Sequence, residues 1–187
     1  TIFLTTYSGL TTEDDVPLPN ELKYSGETSA QISSDKEYHA VAYLRNAIFS
    51  DYSVNRMKQL LIEKQAVKIS MNRKDEYYNP DTAAYSNPVY EDTTNHAVVV
   101  VGWDDNYSAS DFSINPGENG AWLVRNSWGS VGDEYNYNGY FWMSYCDKSL
   151  DPTAIAVDCV TKADSDFYDN NYQYDGSIYS ATCRTTA

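Results

Sequence analysis

Three stretches of the chain are dense in β-branched and aromatic residues: His96-Ala-Val-Val-Val-Val-Gly-Trp103, Ala121-Trp-Leu-Val-Arg-Asn126 and Gly139-Tyr-Phe-Trp-Met-Ser-Tyr145. Each is short, strongly apolar and fenced by Gly, Asn or Asp, which predicts strands of a packed sheet. A fourth stretch, Ala66 to Met71, alternates instead, with Val67, Ile69 and Met71 on one face and polar residues on the other, the period of a half-buried strand. Ala154 to Val160 reads as a last short strand.

Between Ser53 and Gln65 the period changes. Val54, Met57, Leu60 and Leu61 recur at three and four and form one apolar stripe, and Ser53 can accept from the N–H groups of the first turn, so a helix is predicted here. Tyr38 to Phe49 fits neither period: its Ala and Leu content favours helix, while its apolar residues are spaced evenly. Thr1 to Leu10 reads as the tail of a helix ending at Gly9. Pro17 and Pro19 make the acidic stretch that follows a loop, and Lys23 to Lys36 is polar enough to be an exposed one. Asn72 to Asp92 is a long tyrosine-containing loop broken by Pro80 and Pro88; loops of that length usually have a function, here expected to be the lining of a cleft. Asp104 to Gly120 is a second polar excursion, Gly129 to Asn138 links two strands, and Asp164 to Ala187 is an Asp-, Asn- and Tyr-rich tail or linker. Strands with an isolated helix place the chain in the α+β class.

Composition narrows the partners. The 187 residues suit one domain with a real core. With 27 acidic against 13 basic residues and a formal charge of -14, few cations are available for phosphates, so nucleic acid and anionic membrane surfaces are not expected partners. A hydrophobic fraction of 42% with 18 Tyr and 4 Trp belongs to a folded chain rather than to a disordered acidic one. No run is long enough for a membrane helix, and membrane insertion is not expected. Cys146, Cys159 and Cys183 permit one internal disulfide and one thiol, or a bond to another chain. No cysteine pair is closely spaced and there are two histidines, so neither a metal site nor any other cofactor is expected.

The chemistry lies at the ends of the strands. An imidazole opening one strand and a side-chain amide closing its neighbour form a possible base and orienter, a pair that needs a nucleophile. A lone His or Asn at a strand end is more often structural. The motifs around these two change that weighting. Asn95-His96-Ala97-Val98, Val101-Gly102-Trp103, Gly120-Ala-Trp-Leu-Val-Arg-Asn-Ser-Trp-Gly129 and Gly139-Tyr140-Phe141 together resemble the second half of a papain-like cysteine peptidase, in phrasing closest to bacterial secreted or surface members, some of which carry a further lectin-like domain. The resemblance is strong from 95 to 145 and weaker over the rest of residues 1 to 160. It departs after Gly129, where many relatives have a second Trp.

The resemblance implies a papain-like fold, represented mostly by the antiparallel, barrel-like β lobe, from roughly 66 to 160, with residues 1 to 10 a remnant of the helical lobe. It also favours an extended segment at 38 to 49. His96 matches the catalytic histidine, Asn126 the asparagine that orients its ring, and Trp128 the indole that shields their hydrogen bond. Ile69 and Ala97 are expected to line the pocket for the substrate residue one before the scissile residue. Residues 1–163 would be the peptidase domain and 164–187 a tail. The substrate would be a peptide or protein and the location secreted or cell-surface, in a bacterium.

One member of the constellation is missing: no cysteine precedes His96. The family's nucleophile lies well upstream of its histidine, and the glutamine of its oxyanion hole is absent with it. The expectation is that a separate or missing N-terminal segment carries the cysteine, so that this chain alone is catalytically incomplete. Two rivals stand beside it: a non-catalytic peptide- or glycan-binding surface protein on the same scaffold, and a rearranged site in which Cys146 or Cys159 supplies the thiol.

Overall fold

The computed structural model of the chain describes residues 10–12, 14–15, 40–64, 66–127 and 138–161. In chain order these form β1 (Ala42–Asp51), α1 (Val54–Lys64), β2 (Val67–Met71), a 3-10 turn (Asp75–Tyr77), β3 (Tyr78–Asn79), β4 (Ala84–Tyr85), β5 (His96–Asp104), a second 3-10 turn (Ala109–Asp111), β6 (Ala121–Arg125), β7 (Tyr140–Ser144) and β8 (Thr153–Thr161). The strands make one sheet in the order β1-β8-β2-β5-β6-β7-β4-β3. By compactness the chain divides into two units, Ile48–Val157 and a second comprising Thr1–Ala47 with Asp158–Ala187; the division falls within β1 and β8.

In the Ile48–Val157 unit, α1 starts where its sequence predicts. Ser53 Oγ accepts from the N–H of Arg56 at 3.2 Å and its carbonyl from Met57 at 2.9 Å, so the first turn is capped from within. The stripe of Met57, Leu60 and Leu61 shares one buried core with Val67, Ile69 and Met71 of β2, Val98 and Val100 of β5, Trp122 and Val124 of β6, and Phe141 and Met143 of β7. Each such side chain stabilises the fold by roughly 1.5–3 kcal/mol relative to exposure. Trp122 is fully buried because its one polar atom has a partner: the indole N–H donates to Tyr52 Oη at 2.9 Å. Burial pushes the Tyr52 phenol up to about 12. In the other unit, Leu10 makes an antiparallel bridge to Ala42.

The fold is α+β, with three differences from the sequence-based expectation. The segment that fits neither period is strand β1, the extended state that the resemblance favoured, and the sheet thus begins at Ala42 rather than near residue 66. β2 pairs antiparallel with β5 and β8, β5 with β6, β6 with β7 and β3 with β4, whereas β4 and β7 run parallel. The 72–92 segment is not all loop: it holds the first 3-10 turn, β3 and β4. Tyr85 is its anchor, a fully buried ring whose hydroxyl donates to the carbonyl of Asn72 at 3.0 Å and accepts from the N–H of Lys74 at 3.1 Å. A partnered hydroxyl lets the ring enter the core. The expected helix tail at 1–9, the loop at 23–36, the tail at 164–187 and nearly all of the 129–138 link lie outside the described residues.

A buried polar knot ties the segments next to β2 and β5 together. Asp147 Oδ2 accepts from the N–H of Asn87 at 2.7 Å, and Oδ1 accepts from the N–H and the hydroxyl of Ser149 at 2.9 and 2.7 Å. Asn87 Nδ2 donates to the carbonyl of Asn72 at 3.2 Å, and Asn72 donates from Nδ2 to Thr93 O at 3.0 Å and from its backbone to Ser149 O at 3.1 Å. The end of β2 and the approach to β5 are therefore joined through Asn72 to one hydrogen-bonded group.

Candidate active site

His96 is the first residue of β5 and pairs with Met71, the last residue of β2. The residue before it is clamped three ways. Asn95 Oδ1 accepts from the N–H of Arg73 at 2.7 Å, its Nδ2 donates to Arg73 O at 2.9 Å, and its backbone N–H donates to Met71 O at 3.1 Å. Asn126 follows β6 directly, is 4% exposed, and donates its backbone N–H to Gly139 O at 2.9 Å. Gly139 sits in the left-handed region, with φ 85°, where glycine pays no steric penalty, and it delivers the chain into β7.

These two strand ends bring the imidazole and the amide together: His96 Nε2 lies 2.9 Å from Asn126 Oδ1. The same amide atom accepts from the N–H of Ser127 at 2.8 Å. A backbone N–H only donates, so the atom between the two must be the amide oxygen and not its nitrogen. Nε2 therefore carries a hydrogen and donates it, which assigns acceptance of a further proton to Nδ1.

Burial lowers the imidazole pKa, the hydrogen bond to Asn126 raises it and the Arg73 guanidinium lowers it; the net shift is downward from 6.5. The folded ring thus binds its proton less tightly than the unfolded chain does. Stability linked to His96 is present above about pH 6.5 and is lost as the pH falls through the depressed folded value. In an NMR titration the His96 ring should titrate below 6.5, and Asn126→Ala, which removes the bond favouring the charged form, should push it lower still. An unchanged midpoint in Asn126→Ala would mean that the bond does not hold in solution.

The other expected site residues fare differently. Trp128 lies outside the described residues. Ile69 and Ala97 are not brought together: Ile69 pairs with Val98 and is 1% exposed in the core, whereas exposed Ala97 pairs with Ser70. The cause is the pleat, since successive residues of a strand face opposite sides. Ser70, one position along from the expected residue, is the β2 residue that pairs with Ala97 and shares its face. The alternation of β2 was legible; its register against β5 was not.

The cysteine-relocation reading is not supported. Cys146 lies two residues beyond β7, whose last residue, Ser144, pairs with Ala121, and Ala121 pairs with Asp104 at the far end of β5 from His96. Eight strand steps of about 3.3 Å separate the two ends, roughly 26 Å. Burial and Glu118 push the Cys146 thiol up, and burial and Asp158 push up that of Cys159, which is exposed and belongs to the other unit. A nucleophilic thiol needs the opposite shift. Cys183 lies outside the described residues.

The profile of the papain family cysteine proteases matches residues 2–162. The chain belongs to the papain family of cysteine proteases. Among solved structures, this papain-family chain is similar to the cysteine protease and lectin-like domains of Cwp84, a surface layer associated protein of Clostridium difficile. Identity there is 30%, with a TM-score of 0.73 and coverage of 88% of this chain and 36% of that one. Clostridial Cwp84 after propeptide cleavage is similar at 29% identity and TM-score 0.72, covering 86% and 39%. Digestive procathepsin L2 proteinase from Tenebrio molitor larval midgut shares the papain-like fold at 20% identity and TM-score 0.52, covering 82% and 45%. The papain-family chain thus spans less than two fifths of the length of the two Cwp84 chains. No curated protein matches it. Among the described residues, no helix is long and apolar enough to cross a membrane.

Proposed function

We propose that this chain supplies the general base and its orienter to a papain-like cysteine endopeptidase whose nucleophilic cysteine comes from an N-terminal segment not contained in the 187 residues. The observation that carries the reading is the 2.9 Å bond from His96 Nε2–H to an amide oxygen fixed by a second donor, because it leaves proton transfer to Nδ1. His96 Nδ1 takes the thiol proton, and the sulfur bonds to the scissile carbonyl carbon. The carbon–nitrogen bond then breaks as the imidazolium returns the proton to the leaving amine. Water, deprotonated by the same nitrogen, releases the acyl group as a carboxylic acid and restores the thiol. Asn126 holds the ring without adding a negative charge, and Trp128 shields the bond between them. Ala97 and Ser70, in place of Ala97 and Ile69, flank the bound substrate.

Residues 1–163 form the peptidase portion and 164–187 a tail, a division supported by the extent of the family match, 2–162. The substrate is a peptide or protein. The similarity to a surface layer associated protein supports a secreted or cell-surface location in a bacterium. The absence of any cysteine before His96 favours one second reading, a peptide- or glycan-binding protein that does not cut.

Coexpression of this chain with its upstream sequence, followed by a peptide carrying a thiol-reactive group and intact-mass analysis, separates the two. One adduct on a cysteine outside these 187 residues is expected. Adducts only on Cys146, Cys159 or Cys183, or none at all, would favour the binding protein.

A further inference from the structure

The backbone at the start of β5 is held from the β2 side. The antiparallel register with β2 runs from Val67 opposite Val100 to Met71 opposite His96, whereas the register with β6 starts three residues further in, at Val99 opposite Arg125. Thr93, Thr94 and Asn95, which deliver the chain to His96, are all exposed and bury little apolar surface. A strand end with one partner strand and little burial frays unless hydrogen bonds hold it.

Asn72 and Asn95 occupy the next position of the β2–β5 register, each one residue beyond the pair of Met71 and His96. The backbone of Asn72 turns elsewhere: its N–H donates to Ser149 O at 3.1 Å, next to the bridge between Met71 and Leu150. The two side chains take over the cross-strand bonding. Asn72 Nδ2 donates across to Thr93 O at 3.0 Å. Asn95 reaches the other way, with Oδ1 accepting from the N–H of Arg73 at 2.7 Å and Nδ2 donating to Arg73 O at 2.9 Å. An N–H only donates and a carbonyl only accepts, so the Arg73 backbone fixes the Asn95 amide in one orientation and demands a side chain with both functions. Asn72 works from a fixed base: it is 8% exposed, and its carbonyl accepts from the Tyr85 hydroxyl at 3.0 Å and from Asn87 Nδ2 at 3.2 Å.

We infer that Asn72 and Asn95 are positioning residues for His96, whose crossed amides extend the ladder past the imidazole and hold its backbone while Asn126 holds its ring at 2.9 Å. A ring held at Nε2 alone still pivots about that bond. With the backbone fixed as well, Nδ1 has one direction in which to meet a thiol, and a displacement of about 1 Å there costs on the order of a hundredfold in rate. The catalytic meaning of this clasp rests on His96 being the base of the proposed peptidase.

NMR of the 187-residue chain tests the clasp through the rate at which the His96 Nε2 hydrogen exchanges with water; His96→Gln identifies the signal among the two histidines. Asn95→Ala and Asn72→Ala should each speed that exchange at least about tenfold, because the ring then leaves Asn126 whenever the strand end opens. Asn95→Asp keeps the acceptor for the Arg73 N–H and loses the donor, so it should fall between Asn95→Ala and the parent. Ser149→Ala weakens the neighbouring knot without touching either asparagine side chain and should leave the exchange unchanged. Asn95 is exposed, so its Ala variant should stay folded by circular dichroism, and it decides the matter if Asn72→Ala does not fold. Exchange in folded Asn95→Ala no faster than in the parent, or equally accelerated by Ser149→Ala, would overturn the inference. In the assembled protease Asn95→Ala should lower kcat roughly tenfold with KM unchanged. The exchange is read without any cleavage, so failure of the clasp and failure of the peptidase reading are told apart.

Discussion

His96→Ala is expected to lower kcat for peptide hydrolysis by the assembled protease at least about a thousandfold, with the far-ultraviolet circular dichroism unchanged. The size follows from the two jobs given to one ring. General base and general acid work contributes about 10²–10⁴ in rate, and residues acting as one catalytic unit lose most of it together when one is removed. The half-buried ring makes its fixed contact to Asn126 from the end of a strand rather than from within the hydrophobic core, so the fold should survive. Asn126→Ala acts through the ring and should cost less, of the order of ten- to a hundredfold, chiefly in kcat. A His96→Ala variant retaining a tenth of the activity would remove the imidazole from the mechanism.

The largest loss of stability is expected from Asp147→Ala, about 3–5 kcal/mol in denaturant unfolding. The carboxylate accepts from three donors, the N–H of Asn87 and the N–H and hydroxyl of Ser149, in a site where Asn87 and Ser149 are both 0% exposed. Each buried donor left without an acceptor costs roughly 1–3 kcal/mol. Burial pushes the carboxyl upward while these three donors pull it down, and burial is the larger effect. Ser149→Ala removes one donor and leaves the acceptor in use, so about 1 kcal/mol is expected there. Set against the roughly 5–15 kcal/mol that holds a domain together, the Asp147 change is a large share. A loss below 1 kcal/mol would show that the knot relaxes or admits water.

Legibility in the sequence followed the kind of signal each element carries. α1 and β2 were readable because amphipathic periods and the Ser53 cap are local, and the buried pattern of Val67, Ile69 and Met71 appears as expected. β1 had no clean period, being a strand with mixed faces, and was favoured only by resemblance; β4, two residues long, is too short to show a period at all. The pairing of His96 with Asn126 came from motif resemblance, not from periodicity. Which face Ala97 shares was out of reach, because register is set between residues 25 or more apart in the chain and a shift of one exchanges Ile69 for Ser70.

The measurement that bears most directly on the central claim is the pH dependence of alkylation of the upstream cysteine in the assembled protein, with His96 present and replaced by Ala. The account predicts that His96 keeps the thiol reactive well below the ordinary cysteine pKa of about 8.5 and that His96→Ala returns the midpoint to near that value. Identical profiles with and without the imidazole would contradict it.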